Sequence, residues 1–358
     1  MGTHHSERSV PKRSVPSCLC DLTLKELSDW VLSQGQPEYR ARQIFHSLYR
    51  RPPILPEKMS NLPADFRQLL RSRFRSLALT PVETQRSADG TCKILSKLPD
   101  GQFLETVMIP AQNRRTVCVS TQVGCAYGCA FCASGQFGLK RNLSTGEIIQ
   151  QILLAERELS GGRVTNVVFM GMGEPLSNYE NVMKAIRILN APEGLQIGVR
   201  KITLSTVGVV PMIERLAKEG LQIELSISLH APTDPLRTTL MPVNRKYPLS
   251  VLIPSAKAYA AATKRLITFE YILIDQVNDG GNRAQELARL LKGVLCKVNL
   301  IPCHPTPGTP WARPAQERML SFERTLRRNG IPCTLRRSRG LDIEGACGQL
   351  RLRHEAAQ

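Results

Sequence analysis

A chain of 358 residues with 42% hydrophobic side chains can bury a sizeable core, and it fits one large α/β domain with a small accessory domain, or two medium ones. Lysine and arginine (48) against aspartate and glutamate (30) leave a net charge of +18, which favours a polyanionic partner without establishing one, since many soluble proteins are basic. No apolar run reaches the length of a membrane span. Eleven cysteines, an odd number behind a polar N-terminus with no secretory apolar stretch, argue against an extracellular disulfide framework. A cytoplasmic protein using its cysteines for metal binding or thiol chemistry is expected.

Residues 1–17, with Arg8-Ser9-Val10-Pro11 echoed by Arg13-Ser14-Val15-Pro16, read as a disordered basic tail. Thr23 and Glu26 form a capping box ahead of a predicted helix to about Gln34. Gly35 and Pro37 break it; a second helix runs from about Pro37 to Tyr49 and stops at Pro52 and Pro53. A third, about Pro63 to Phe74, places Phe66, Leu69, Leu70 and Phe74 on one face. Arg67, Arg71, Arg73 and Arg75 fall largely off that face, as a solvated surface would have them. From Thr80 short β segments follow, with turns at Asp89-Gly90 and Asp100-Gly101. Residues 18–110 therefore read as a small helical accessory domain with a β extension.

From Arg115 strands and helices alternate. Predicted strands are Thr116–Ser120, Asn166–Met170, Lys201–Ser205, Ile223–Ser228, Leu266–Leu273, Leu295–Ile301 and Cys333–Arg337. Predicted helices include Ser144–Glu158, Tyr179–Leu189, Pro211–Glu219, Asn282–Lys292 and Pro314–Arg328. Repeated β-α units imply a parallel sheet with helices on its outer face. Six or so units are too few to close an eight-stranded barrel. An open partial (βα)6 barrel over residues 111–352 is expected, with functional groups at the carboxyl ends of its strands and a short tail at 353–358.

Chemistry concentrates in Cys125-Ala-Tyr-Gly-Cys129-Ala-Phe-Cys132, directly after the first barrel strand. Three thiols on one short loop can hold three irons of a four-iron cluster and leave the fourth open to a ligand. Structural zinc normally takes four ligands in paired C-x2-C arms, and no second arm of that spacing follows. The sequence Phe169-Met-Gly-Met-Gly-Glu174-Pro175 ends the second barrel strand; its glycines permit close backbone approach, and its carboxylate suits an ammonium group. Read alone, it is an ordinary strand-end turn.

The cysteine loop resembles the radical S-adenosylmethionine superfamily, and its flanks narrow the likeness. Cys118-Val-Ser-Thr-Gln-Val-Gly-Cys125, Arg141-Asn142-Leu143, Phe169 to Pro175, Thr203-Leu-Ser205-Thr, Ser228-Leu-His230 and Ala346-Cys347-Gly348-Gln349-Leu350 are similar in order and spacing to the RlmN/Cfr family of RNA methyltransferases. The likeness implies a [4Fe-4S] cluster on Cys125, Cys129 and Cys132. It implies S-adenosylmethionine, two molecules per turnover, held by Gly173, Glu174, Ser205, Ser228, Leu229, His230 and His304. At His304 the RlmN members generally carry an asparagine. Cys347 corresponds to the methyl-carrying cysteine, Cys118 to a second catalytic cysteine, and Glu105 to a proton-accepting glutamate. From pattern alone, Glu105 lies among apolar residues of a β segment, where a raised pKa suits a base, although an edge-strand charge is the plainer reading.

The family's reaction follows from its substrate: adenine carbon 2 is electron-poor, so polar alkylation is blocked and a radical route is needed. The thiolate of Cys347 takes a methyl group, a radical then removes hydrogen from it, and the carbon adds to adenine. Cys118 resolves the adduct through a disulfide with Cys347. The implied partners are 23S ribosomal RNA, transfer RNA next to the anticodon, and an electron donor such as flavodoxin; a monomer without membrane contact is expected. Glu174-Pro175-Leu176 and His304-Pro305-Thr306-Pro307-Gly308 look more like RlmN, whereas Leu139 to Leu143 is closer to Cfr, which methylates carbon 8. A zinc-dependent RNA-binding protein is the alternative from another class.

Overall fold

The computed structural model describes residues 18–50, 53–75, 78–159, 162–304 and 309–345. Cys347 and both tails lie outside them. Three helices open the described chain: α1 (Leu24–Ser33), α2 (Tyr39–Tyr49) and α3 (Ala64–Arg73). The capping box forms as expected, with Thr23 Oγ1 accepting from Glu26 N at 3.3 Å while Glu26 Oε2 accepts from Thr23 N at 2.8 Å. Trp30 packs against Phe66 and Phe74, with ring centres 6.0 and 4.8 Å apart, and this seats the apolar face of α3.

Four antiparallel strands follow: β1 (Thr80–Arg86), β2 (Cys92–Lys97), β3 (Phe103–Ala111) and β4 (Arg114–Cys118). A separate hairpin, β5 (Gln122–Gly124) and β6 (Leu139–Asn142), brackets the cysteine loop and the short helix α4 (Ala133–Gln136). Then come α5 (Thr145–Arg157), β7 (Asn166–Phe169), α6 (Tyr179–Asn190), β8 (Ile202–Thr206), α7 (Val210–Ala217) and β9 (Glu224–Ser228). The chain continues through α8 (Asp234–Leu240), α9 (Leu249–Thr263), β10 (Ile267–Leu273), α10 (Gly281–Leu290), β11 (Cys296–Pro302), α11 (Gln316–Arg328) and β12 (Cys333–Leu335). Every predicted strand and helix of the barrel appears, with ends within two residues of those expected.

Ten strands form one sheet in the order β1-β2-β3-β4-β7-β8-β9-β10-β11-β12. From β4 onward all pairs are parallel. Because the order never reverses, right-handed crossovers put all six helical connections on one face, and the sheet curls into an open partial barrel. The β extension is continuous with it: β3 pairs with β4, and residue 110, the expected domain boundary, lies inside β3. Buried apolar residues of the helical segment and of the barrel form one cluster. Gln150 on α5 ties the two polar frames together, accepting from Ala78 N and Leu79 N at 2.6 and 3.1 Å and donating to Cys18 Sγ at 3.0 Å.

Helices α4 and α8 and the β5–β6 hairpin are not among the predicted elements, and neither is helix α9, which periodicity does not show. Its sequence is apolar and alanine-rich nearly all round, with Pro254 inside, so no polar stripe marks one face. Among the described residues no helix is long and apolar enough to cross a membrane.

Candidate active site

The cysteine loop is set by backbone geometry. Gly124 (φ +75°) starts it where a Cβ would stand 1.9 Å from the Gly138 carbonyl, so no other residue fits. Cys125 N donates to that same carbonyl at 3.1 Å, Cys132 N to the Cys129 carbonyl at 3.0 Å, and Ala130 N to the Leu240 carbonyl at 2.9 Å. The three thiols are half-buried. Burial pushes the Cys125 thiol up to about 12 and the Cys129 thiol well above its ordinary value, with Cys132 and Glu174 adding to both. Thiolates there need a cation. Among the described residues no three His, Cys, Asp or Glu side chains gather about one point as a single metal ion requires. A polynuclear iron–sulfur cluster, taking one thiolate at each of several corners, fits this donor set better than a lone zinc.

Beside the loop opens a cleft lined by Cys132, Gly173, Glu174, Ser205, Ser228, His230 and His304. Seven residues expected from separate motifs thus meet at the carboxyl ends of successive strands. Leu229 does not line it: alternation turns its side chain into the core, fully buried, between Ser228 and His230. Gly173 (φ +95°) approaches so closely that a Cβ would lie 2.5 Å from Gln122 Cβ. Glu174 is buried, and its carboxylate accepts from Leu176 N at 3.0 Å and Val207 N at 2.8 Å. Burial raises its pKa to about 7 against these backbone bonds. No cationic side chain is among its described hydrogen-bond partners, so the site suits a ligand's ammonium group.

His230 adopts a left-handed backbone (φ +59°), a strained conformation for a side-chain-bearing residue. Its Nδ1 accepts from Ile272 N at 2.9 Å, so in the neutral ring the proton sits on Nε2. Burial, and then Arg237, hold its pKa down at about 3. The imidazole is a fixed neutral donor. His304 is half-buried, with Nε2 2.5 Å from Ser338 Oγ, and burial lowers its pKa.

A second cleft adjoins the first and shares Met170, Ile301, His304 and Arg336 with it. Cys118 and Gly345 line it together with Arg337 and Arg339; Gly345 is two residues from Cys347. No disulfide occurs among the described residues. Glu105 lines neither cleft, although Val107 and Ile109, next on its face of β3, line the second. Instead of standing alone among apolar groups, Glu105 is buried in an ion pair with Lys93 Nζ at 3.3 Å. The lysine partner corrects the expectation of an apolar setting.

Several positioning residues escape motif reading. Ser120 Oγ donates to the Glu105 carbonyl at 2.8 Å and accepts from Met172 N at 3.0 Å; Gln122 Oε1 accepts from Glu174 N at 2.8 Å. These two bind the cysteine segment to the glycine-rich turn. Glu270 also lines the first cleft, buried and bonded by Asn299 Nδ2 at 2.7 Å. A carboxylate in the middle of the apolar run Ile267–Leu273 was its available signal.

On the small domain, Arg42, His46 and Arg50 follow one another at four-residue spacing along α2. With Lys58, Ser60 and Asn61 across from them they line an open groove. Arg71, Arg73 and Arg75 are exposed on and just beyond α3.

Parallel β-α units curled into an open barrel, with a three-cysteine loop and a glycine-rich turn at its mouth, define a radical S-adenosylmethionine enzyme. The Radical SAM superfamily matches residues 119–291. Curated relatives include a dual-specificity RNA methyltransferase RlmN of Syntrophobacter fumaroxidans, 46% identical over 94% of this chain and 98% of its own length. A probable enzyme of the same name from Symbiobacterium thermophilum is 48% identical over 93% of this chain and 90% of its own. Among solved structures, a radical SAM methyltransferase from Sphaerobacter thermophilus superimposes with a TM-score of 0.91 at 52% identity, covering 94% of this chain and 99% of that one. The chain belongs to the RlmN/Cfr family of radical S-adenosylmethionine RNA methyltransferases.

Proposed function

We propose that this RNA methyltransferase makes 2-methyladenosine, in 23S ribosomal RNA and in transfer RNA next to the anticodon, through a methyl group carried on Cys347. The observation that carries the reading is the adjacency of the two clefts, which share four lining residues. A base held against Cys118 lies beside a cofactor held against Glu174 and His230. When bound, the cluster on Cys125, Cys129 and Cys132 and S-adenosylmethionine supply the one-electron chemistry that an electron-poor ring carbon requires.

The remaining work falls to the chain's own side chains. Glu174 receives the cofactor's ammonium group, and Nε2–H of His230 donates to one of its acceptors. Cys347 attacks the methyl carbon as a thiolate. Glu105, ion-paired with Lys93 at 3.3 Å, would accept the ring proton as the adduct radical gives one electron back to the one-electron donor system. Cys118 then attacks the sulfur of Cys347; its bond to the methylene carbon breaks, that carbon takes up a proton from water to become the methyl group, and a disulfide is left that a cellular reductant must reopen. Arg336, Arg337 and Arg339 bind phosphates flanking the base. An external one-electron donor such as flavodoxin, a cytoplasmic setting and a monomer complete the proposal.

Digesting RNA treated with the anaerobically reconstituted enzyme and separating its nucleosides by mass spectrometry tests this directly. The expected product is 2-methyladenosine. Finding 8-methyladenosine in its place would move the protein to the Cfr-like regiochemistry.

A further inference from the structure

Arg237, on α8, is fully buried, 0% exposed. A guanidinium has five N–H donors, and here each has an acceptor. Its Nε donates to the Leu229 carbonyl at 3.2 Å; one terminal nitrogen donates to Asn244 Oδ1 at 2.9 Å and the Tyr247 carbonyl at 3.2 Å. The other donates to the carbonyls of Val207 at 2.8 Å and Ser228 at 3.2 Å. None of these acceptors carries a charge. Asp234, one turn earlier, gives its Oδ1 to Asn244 Nδ2 at 3.0 Å and Leu249 N at 2.8 Å instead.

Burying a cation without a bonded anion is costly, and neutral carbonyls offset only part of that cost. Burial lowers the Arg237 pKa to about 10, with Cys129 and Asp234 opposing, so the group stays charged at neutral pH. The same helix ends on the cysteine loop, where the Leu240 carbonyl accepts from Ala130 N, next to Cys129, at 2.9 Å. One buried charge thus stands on the helix that meets the cysteine loop, and it is bonded to the carbonyls of Val207 and Ser228, two residues that line the cofactor cleft.

We propose that Arg237 is the built-in counter-charge and clamp of the iron–sulfur seat. Its cation raises the reduction potential of the cluster, and its five bonds fix the ends of β8 and β9 from which the cofactor residues project. The proposal rests on the reading that Cys125, Cys129 and Cys132 hold a four-iron cluster. Their thiolates leave the oxidised cluster net anionic, and reduction adds further negative charge. A nearby cation in a low-dielectric setting favours arrival of that electron. Arg237 touches no reacting atom; it is a positioning residue.

The test compares wild type, Arg237→Lys and Arg237→Met after anaerobic reconstitution. Cluster midpoint potential is read by EPR-monitored titration without cofactor or RNA, and S-adenosylmethionine affinity by equilibrium dialysis. Arg237→Met should shift the potential to a more negative value. Arg237→Lys keeps the charge but cannot reach acceptors on both strand ends. Its potential should stay near wild type while its affinity falls roughly tenfold, as for buried hydrogen bonds left unmade. A folded, cluster-loaded Arg237→Met with the wild-type potential would overturn the counter-charge. Should that variant not fold, Arg237→Lys with undiminished affinity would overturn the clamp by itself. Wild-type protein that takes up no cluster would instead sink the cluster reading.

Discussion

At the mouth of the barrel, Glu174, His230, Arg237 and Glu270 are buried, and each is bonded to backbone or amide groups at specified atoms. On the small helical domain, Arg42, His46, Arg50 and Lys58 stand exposed along an open groove. A polar group buried at the mouth has no water to replace a lost partner, so a single substitution there carries the full cost of the unmade bond. An exposed cation is hydrated and screened, and it contributes one phosphate contact among several. The same residue types therefore obey different arithmetic in the two regions: a large cost per residue in one, a shared and salt-dependent one in the other.

The largest effect should come from replacing Cys125, Cys129 and Cys132 together by alanine. Visible absorption of the reconstituted cluster and reductive cleavage of S-adenosylmethionine should both vanish. Full iron content in that variant would break the contrast at its strongest point.

Next are the two cysteines assigned to the carrier reaction. Cys118→Ala should still load and transfer carbon but stall as a covalent RNA–protein species on denaturing gels, whereas Cys347→Ala should form none. Normal turnover by Cys118→Ala, or an adduct in Cys347→Ala, would refute these roles while leaving the cluster untouched.

The small domain supplies the graded effect. Neutralising Arg42, Arg50 and Lys58 together should weaken RNA binding and flatten the salt dependence of log K by roughly two, about −0.7 per lost contact on single strands. Neutralising Arg67, Arg71, Arg73 and Arg75 should change that slope less. If the second set matters more, RNA lies over α3 and not in the groove beside α2.

The smallest effect concerns pH. His230 is held neutral in the fold, at about 3, while an unfolded histidine titrates near 6.5. Between those values the unfolded chain binds one more proton, so the stability due to the neutral ring is present above about 6.5 and is lost as pH falls towards 3. Thermal melts at pH 7 and pH 5 should therefore separate more for wild type than for His230→Gln. Equal separations would show that the ring is protonated in the fold.

The barrel's strands and helices were legible because each βα unit carries its own periodicity and turn signals, and the site because its cysteines, glycines and carboxylate sit in short local motifs. α9 was not, since an alanine-rich helix without a polar face leaves no period to read. Neither was the contact between the motifs: Gln122 and Ser120 look like filler beside Cys125, yet they carry the bonds that join two distant segments.

From its residues alone, this chain's membership, the three-cysteine loop and the order of its β-α units were decided, because soft thiols at close spacing and repeated local patterns need no distant partner to be recognised. Tertiary structure alone decided which buried polar groups face one another across long stretches of chain. It paired Lys93 with Glu105, turned Leu229 away from the cleft, and set the guanidinium of Arg237 among carbonyls from two strands. Burial and hydrogen-bond geometry are properties of a packed interior, and no one-dimensional pattern contains them.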